Sequence, residues 1–414
     1  MTRTTIRIGA AALGILLAVA ACHQDELFRP YPNGPLDPLF TRYVSMGNSI
    51  TAGFQSAGIN DSTQLQAYPV LLARQMQTPF FVPLMTRIPN GPQGCPPPID
   101  TLFRPTGPHR LGNGTASTCG LRALQPVPPP YINNVAVPGA AVLDLITNLG
   151  PGTSSNALTT FFLGGLTQTQ MMQRVHPTFV TVWIGNNDVL GAATSGGDTT
   201  KITDTSTFKT EYGRILDSLN AAQVTGGVLI GVANVTLIPF FSKGSTYWAI
   251  KNGLVPGAAF PPNFAVDNTC APYAAGGIGD SVLVSFQFGI PLVAAAAANP
   301  AVQDTLHCTE VQNVSPPEFR KLARTVVSYN TFISGQAAAR GYAYFDPNAL
   351  FTSLPPGSIP AFPSISGAAS VTTPFGAFFS RDGVHPSAAS HKLVANALIG
   401  VINLQYGSHV PAIP

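Results

Sequence analysis

Charge is what this chain has least of. Charged residues make up 9% of its 414 positions, against roughly a quarter in an average soluble protein, and no run of Lys and Arg is long enough to track a row of phosphates. Nucleic acid is therefore not expected as a partner. An acidic substrate is not favoured either: the formal charge is +3, and removing Arg3 and Arg7, which lie in a leader, leaves +1. The low charge does not signal disorder, because the apolar fraction, 45%, is that of an ordinary globular chain. The sequence also lacks the CxxC or HxxxH spacing of a metal site, an internal repeat, and an apolar run long enough to span a membrane stably. No metal and no cofactor is expected. Glycine and proline, 40 and 39 residues, are in excess, which predicts a packed core with long, stiff loops.

The ends of the first apolar run set the compartment. Arg3 and Arg7 precede an uncharged stretch from Ile8 to Ala21, followed by Cys22, the layout of a secretory signal. Val19-Ala20-Ala21-Cys22 resembles a bacterial lipobox, which implies cleavage after residue 21, lipidation of Cys22, and a membrane-anchored protein of the bacterial cell envelope, with an ordinary signal peptide as the plainer alternative. A Pro-rich linker, about residues 22–40, follows. Once Cys22 is set aside, Cys95, Cys119, Cys270 and Cys308 form an even set in an exported chain, which reads as two disulfides. Loop-closure entropy favours near neighbours, so Cys95 is expected to join Cys119 and Cys270 to join Cys308.

Apolar strand-like runs alternate with helical spacing. Tyr43–Met46, Thr178–Ile184, Val228–Ala233 and Tyr342–Phe345 read as buried strands. Tyr68–Met76, Leu166–Val175, a stretch carrying Phe208, Tyr212, Ile215, Leu216 and Leu219, and residues from about 387 to 404 read as helices. Ser315-Pro316-Pro317-Glu318 is a capping-box start for another. Such alternation predicts an α/β fold, a three-layer α/β/α sandwich around a central parallel sheet of flavodoxin-like type, with its ligand at the carboxyl ends of the strands. Residues 88–130 and 240–314 break the alternation. Each holds one expected disulfide, so both read as stapled insertions in a domain spanning 41–407.

Three short stretches at strand ends carry chemistry. In Gly47-Asn48-Ser49-Ile50-Thr51-Ala52-Gly53, glycines flanking Ser49 allow a tight strand-to-helix turn that exposes the hydroxyl. Gly185-Asn186-Asn187-Asp188 follows another strand and offers the Asn187 side-chain amide. Asp382-Gly383-Val384-His385-Pro386 sets a carboxylate three residues before an imidazole. Each alone reads equally well as a turn or a helix cap. Together they are the parts of a serine hydrolase: hydroxyl, base, orienting carboxylate and oxyanion donors.

In this order and placement they resemble the SGNH or GDSL hydrolase family. The resemblance implies Ser49 as nucleophile, His385 as base and Asp382 as its carboxylate. It implies an oxyanion hole built from the Ser49 amide, the Gly139 amide within Val135-Ala136-Val137-Pro138-Gly139-Ala140, and Asn187. It departs at Asn48, where the family usually has Asp. Of the other histidines, His391 is the nearest competitor to His385 and reads as a solvated helix residue. Phe375, Phe378 and Phe379 read as core anchors or as acyl-chain contacts. The implied function is hydrolysis of carboxylic esters of lipids or small alcohols. The alternatives are a carbohydrate O-acetyl esterase of the same family and a non-catalytic envelope lipoprotein that keeps the fold.

Overall fold

The computed structural model describes residues 31–87, 91, 93–104, 106–120, 131–147 and 158–414. The leader and Cys22 lie outside the described residues. Four strands form the central sheet: β1 (Tyr43–Gly47), β2 (Phe179–Trp183), β3 (Gly226–Ile230) and β4 (Ala343–Phe345), hydrogen-bonded in that order and all parallel. These are the four expected runs, and residues of β1, β2 and β3 are buried throughout, as a parallel sheet covered on both faces requires.

The stretch before Gly139 runs along the free edge of β1. The Ser45 amide donates to Asn133 O at 2.9 Å, and the Val135 and Val137 amides donate to Ser45 O and Gly47 O at 3.0 and 3.2 Å. Read across the sheet, this edge segment comes second in the chain but lies outside β1, so the chain reverses direction of travel across the sheet at β1. Open α/β sheets bind ligands at the carboxyl end of such a switch point.

Helices cover both faces, and the alternation of side chains along the strands divides the core in two. The helices named here are α1 (Ser49–Ala52), α2 (Tyr68–Met76), α3 (Gln168–Val175), α4 (Asn187–Thr194), α5 (Thr205–Ala221), α6 (Pro316–Arg340), α7 (Pro347–Ser353) and α8 (Ala388–Tyr406). Val44, Met46, Val180, Val182 and Leu229 pack with α3, α5 and α6. Tyr43, Phe179, Trp183, Val228 and Ile230 pack with α2 and α8. The apolar positions expected on α5 are all buried, and the Ser315–Glu318 capping box opens α6.

The disulfides join Cys95 to Cys119 and Cys270 to Cys308. The second staples a small satellite core that includes Tyr247, Phe264, Val282 and Leu306. The first lies against the turn region of the site. Beside it, Ile59 N donates to Pro96 O at 2.9 Å and Ile59 O accepts from Cys95 N at 2.8 Å, while Ile99 N donates to Ser56 O at 2.7 Å. This insertion thus braces residues 55–59, the loop that follows the Ser49 turn. Among the described residues, no helix is long and apolar enough to cross a membrane.

Candidate active site

Ser49 is the first residue of α1, directly beyond the carboxyl end of β1. Asn48 caps that helix, accepting from Ile50 N at 3.2 Å, and its amide reaches Asn186 Oδ1 at 3.5 Å. A side chain at Gly47 would place its Cβ 2.5 Å from both Thr51 Oγ1 and Trp183 O, so only glycine lets the turn pass this close to β2. Gln168, fully buried, holds both backbone groups of that glycine: its Oε1 accepts from Gly47 N at 2.9 Å and its Nε2 donates to Gly47 O at 2.8 Å. Nothing in the sequence marks Gln168, whose partner lies 121 residues away.

The three residues expected to act together do meet. His385 Nε2 lies 2.9 Å from Ser49 Oγ, and His385 Nδ1 lies 2.8 Å from Asp382 Oδ2. With Nδ1 against a carboxylate, the ring proton sits there, leaving Nε2 to accept from the serine hydroxyl. The Phe54 ring, 4.9 Å from the imidazole between centroids, walls the base.

Asp382 is buried and surrounded by donors. Its Oδ1 accepts from Ser380 Oγ at 3.0 Å and from the Val384 and His385 amides at 2.9 Å each; its Oδ2 accepts from Ala57 N at 2.6 Å besides the imidazole. Burial alone would raise its pKa, but the His385 charge and these hydrogen bonds outweigh it and hold the carboxyl at about 2. Ala57 and Ser56, the latter bonded through its amide to Ser380 Oγ, both take the left-handed backbone conformation, φ 52° and 55°. Arg110, in the first insertion, donates to Ala57 O and Pro97 O at 2.7 Å each. The carboxylate's cradle is thus held by residues far from it in the chain, with no local motif that connects them to it.

Asn187 is the first residue of α4 and donates through Nδ2 to Ala140 O at 2.8 Å. Asp188 Oδ2 accepts from Val142 N at 3.0 Å. These two contacts fix the segment after Gly139 against α4. Gly139 itself is exposed at φ 80°. A small cavity opens at this point, lined by Asn48, Ser49, Ile50, Asn186, Asn187, Leu190, Ala233, Val235, Ile238, Val384 and His385. Asn187 therefore shares a cavity with the nucleophile and base, while Gly139 is not among its walls.

His391 corrects the expectation drawn for it. It is fully buried on the inner face of α8, with its Nδ1 accepting from Tyr68 N at 3.2 Å and its ring stacked on Tyr68. Burial first, and His385 second, push its pKa down to about 3. It is a neutral core residue that ties α8 to the start of α2. Phe375 and Phe379 are buried in the core, and Phe378 is half-buried beside them.

A serine, an imidazole and a carboxylate in hydrogen-bonded series at the carboxyl edge of a parallel sheet are the machinery of a serine hydrolase. The model of the GDSL-like lipase/acylhydrolase family matches residues 43–398, and the chain belongs to that family. A comparison with curated protein sequences finds no match. Solved structures similar in part include an acetylxylan esterase from Geobacillus stearothermophilus, 13% identical over 87% of this chain and 94% of that one with a TM-score of 0.37. Another is an alpha/beta hydrolase enzyme from the metagenome of Lake Arreo, Spain, 12% identical over 90% and 99% with a TM-score of 0.38.

Proposed function

We propose that the protein hydrolyses carboxylic esters through an acyl-enzyme on Ser49. The observation that carries this reading is the unbroken chain from Ser49 Oγ through His385 to Asp382. As Oγ attacks the ester carbonyl carbon, its proton passes to His385 Nε2, and Asp382 stabilises the imidazolium that forms. The carbonyl oxygen takes up the negative charge and is met by the Ser49 amide and the second Asn187 Nδ2 hydrogen, the first being held by Ala140; a part for the Gly139 amide rests on the family resemblance alone. Collapse breaks the ester C–O bond, and His385 returns the proton to the departing alcohol. Water then enters, gives its proton to Nε2 and attacks the acyl carbon; collapse breaks the acyl C–Oγ bond, His385 returns the proton to Ser49 Oγ, and the acid leaves.

A fluorophosphonate probe tests this directly. Wild-type protein should be labelled at Ser49 and Ser49→Ala should not, with thermal unfolding nearly unchanged in the variant. A folded wild-type protein that takes no label, or takes it on another serine, overturns the assignment and favours the non-catalytic alternative.

From the leader and its lipobox-like end we further propose that the enzyme resides in the bacterial cell envelope, tethered to the membrane through lipidated Cys22; the two disulfides support an oxidising compartment. Cys22→Ser should move the protein from the detergent-extracted membrane fraction to the soluble exported fraction. An unchanged distribution would remove the lipid anchor.

A further inference from the structure

A second cavity adjoins the first. It is bounded by Ile50 and Ala233, which also line the catalytic cavity. Ile50 directly follows the nucleophile, and Pro386 directly follows the base. The far walls come from α7 and α8 and the loop before Asp382: Leu350, Leu354, Phe378 and Leu393 are half-buried there. Trp183 and Phe379, both buried, also line it. Of its polar side-chain atoms, the Ser390 hydroxyl is spent on the Phe378 carbonyl, and the Trp183 indole N–H is buried without a partner. One donor does not match the several hydroxyls of a sugar ring, whose burial without partners would be costly. An alkyl chain asks for no partner at all.

We propose that this slot beside Ser49 is the acyl-chain site, and that the enzyme takes medium-length straight-chain acyl esters in preference to acetyl esters. The inference rests on the esterase reading above. The acyl group, unlike the alcohol, stays attached to Ser49 through both half-reactions, so a permanent apolar slot sharing Ile50 with the nucleophile's own turn serves the part that remains. Chain burial there raises kcat/KM by roughly 4-fold per methylene until the slot is full. Ile50 and Ala233 form the threshold, and Leu354 and Leu393 set the depth.

Two ester series test the assignment: nitrophenyl esters lengthened from acetyl to lauroyl, and acetate esters of alcohols lengthened over the same range. The expected result is a rise in kcat/KM to a medium-chain optimum in the acyl series and a flat alcohol series. Leu354→Trp, with Leu393→Trp as a second filling variant, should lower the ratio of octanoyl to acetyl kcat/KM at least ~10-fold, two methylenes' worth of burial. Acetyl as the best acyl group, or a chain-length effect confined to the alcohol, overturns the proposal. Binding is read separately in Trp248→Phe/Ser49→Ala, in which Trp183 is the sole tryptophan: a fatty acid brominated along its chain should quench its fluorescence, and the Leu354→Trp position is left unaltered for this measurement. Ester turnover with no quenching and no chain-length optimum refutes the acyl site alone; quenching with no turnover of any ester by the wild type refutes the esterase reading alone.

Discussion

Replacing Asp382 by Asn tests the site at its most constrained atom pair. The two carboxylate oxygens accept five hydrogen bonds, three on Oδ1 and two on Oδ2. An amide keeps only one acceptor oxygen. If its NH₂ takes the Oδ1 position, it faces two backbone N–H groups; if it takes the Oδ2 position, it faces the Ala57 N–H and the imidazole. In either pose at least one buried backbone donor loses its partner, at a cost of ~1–3 kcal/mol. The charge is lost as well. The folded carboxyl sits at about 2 against an ordinary 3.8, a difference that corresponds to about 2 kcal/mol of folding free energy above pH 4.

The sign follows from the depressed value. A carboxyl held lower in the folded protein stabilises it fully above the unfolded value, and that contribution disappears as pH falls from about 4 toward 2. Asp382→Asn should therefore be several kcal/mol less stable than wild type at pH 7 by denaturant unfolding, with the gap narrowing as the pH is lowered through that window. Turnover should fall by roughly ten-thousand-fold on a short-chain aryl ester, because the amide favours the wrong imidazole tautomer and leaves the imidazolium uncompensated. A variant that keeps wild-type turnover removes Asp382 from the mechanism. A stability gap that does not change with pH refutes the electrostatic part of the argument even if activity is lost.

Asn187→Ala should lower kcat by ~100-fold or more, the cost of one oxyanion donor; an effect confined to KM would make Asn187 a substrate-positioning residue. Replacing both Cys95 and Cys119 by serine should reduce kcat even on an acetyl ester, because that staple braces the loop carrying the Ala57 donor, whereas the same change at Cys270 and Cys308 should spare acetyl turnover; equal effects from the two pairs would refute the bracing. His391→Leu should flatten the acid side of the stability profile: the unfolded histidine takes a proton near 6.5 and the folded one only near 3, so wild-type stability falls as pH drops across that range. A wild-type profile as flat as the variant's over the same range would contradict the buried, neutral assignment.

The parts that were legible share a property: their signal is local. β1, β2 and β3 are buried on both faces, so each shows as a short apolar run, and the capping box that starts α6 lies within four residues. Ser49, Asn187, Asp382 and His385 each sit in a short motif at a strand end or before a helix. What stayed hidden depends on contacts across the chain. Tyr68 and His391 are 323 residues apart, and the polarity of an imidazole favours the surface reading unless its partner is known. Ala57 donates to a carboxylate 325 residues away from a left-handed backbone that a non-glycine residue rarely adopts, so neither its residue type nor its neighbours announced it.

Asn48 shows how a local departure acquires meaning from such a distant contact. Seen in the sequence, Asn in place of the family's usual Asp removes a charge beside the nucleophile. In the structure that position has two duties. The oxygen caps α1 through Ile50 N, which an aspartate does equally well; the Nδ2 reaches toward the Asn186 oxygen, which an aspartate cannot do because two acceptors would then face each other. Asn186 precedes Asn187, so this contact joins the turn that presents Ser49 to the turn that presents Asn187. With Gln168 holding Gly47 and Asn187 holding Ala140, hydrogen bonds from uncharged side chains fix the nucleophile and oxyanion turns to each other. Charge enters at separate points: Asp382 on His385, Arg110 on the Ala57 loop and Asp188 on the segment after Gly139, while the contact between the two turns is left to neutral amides.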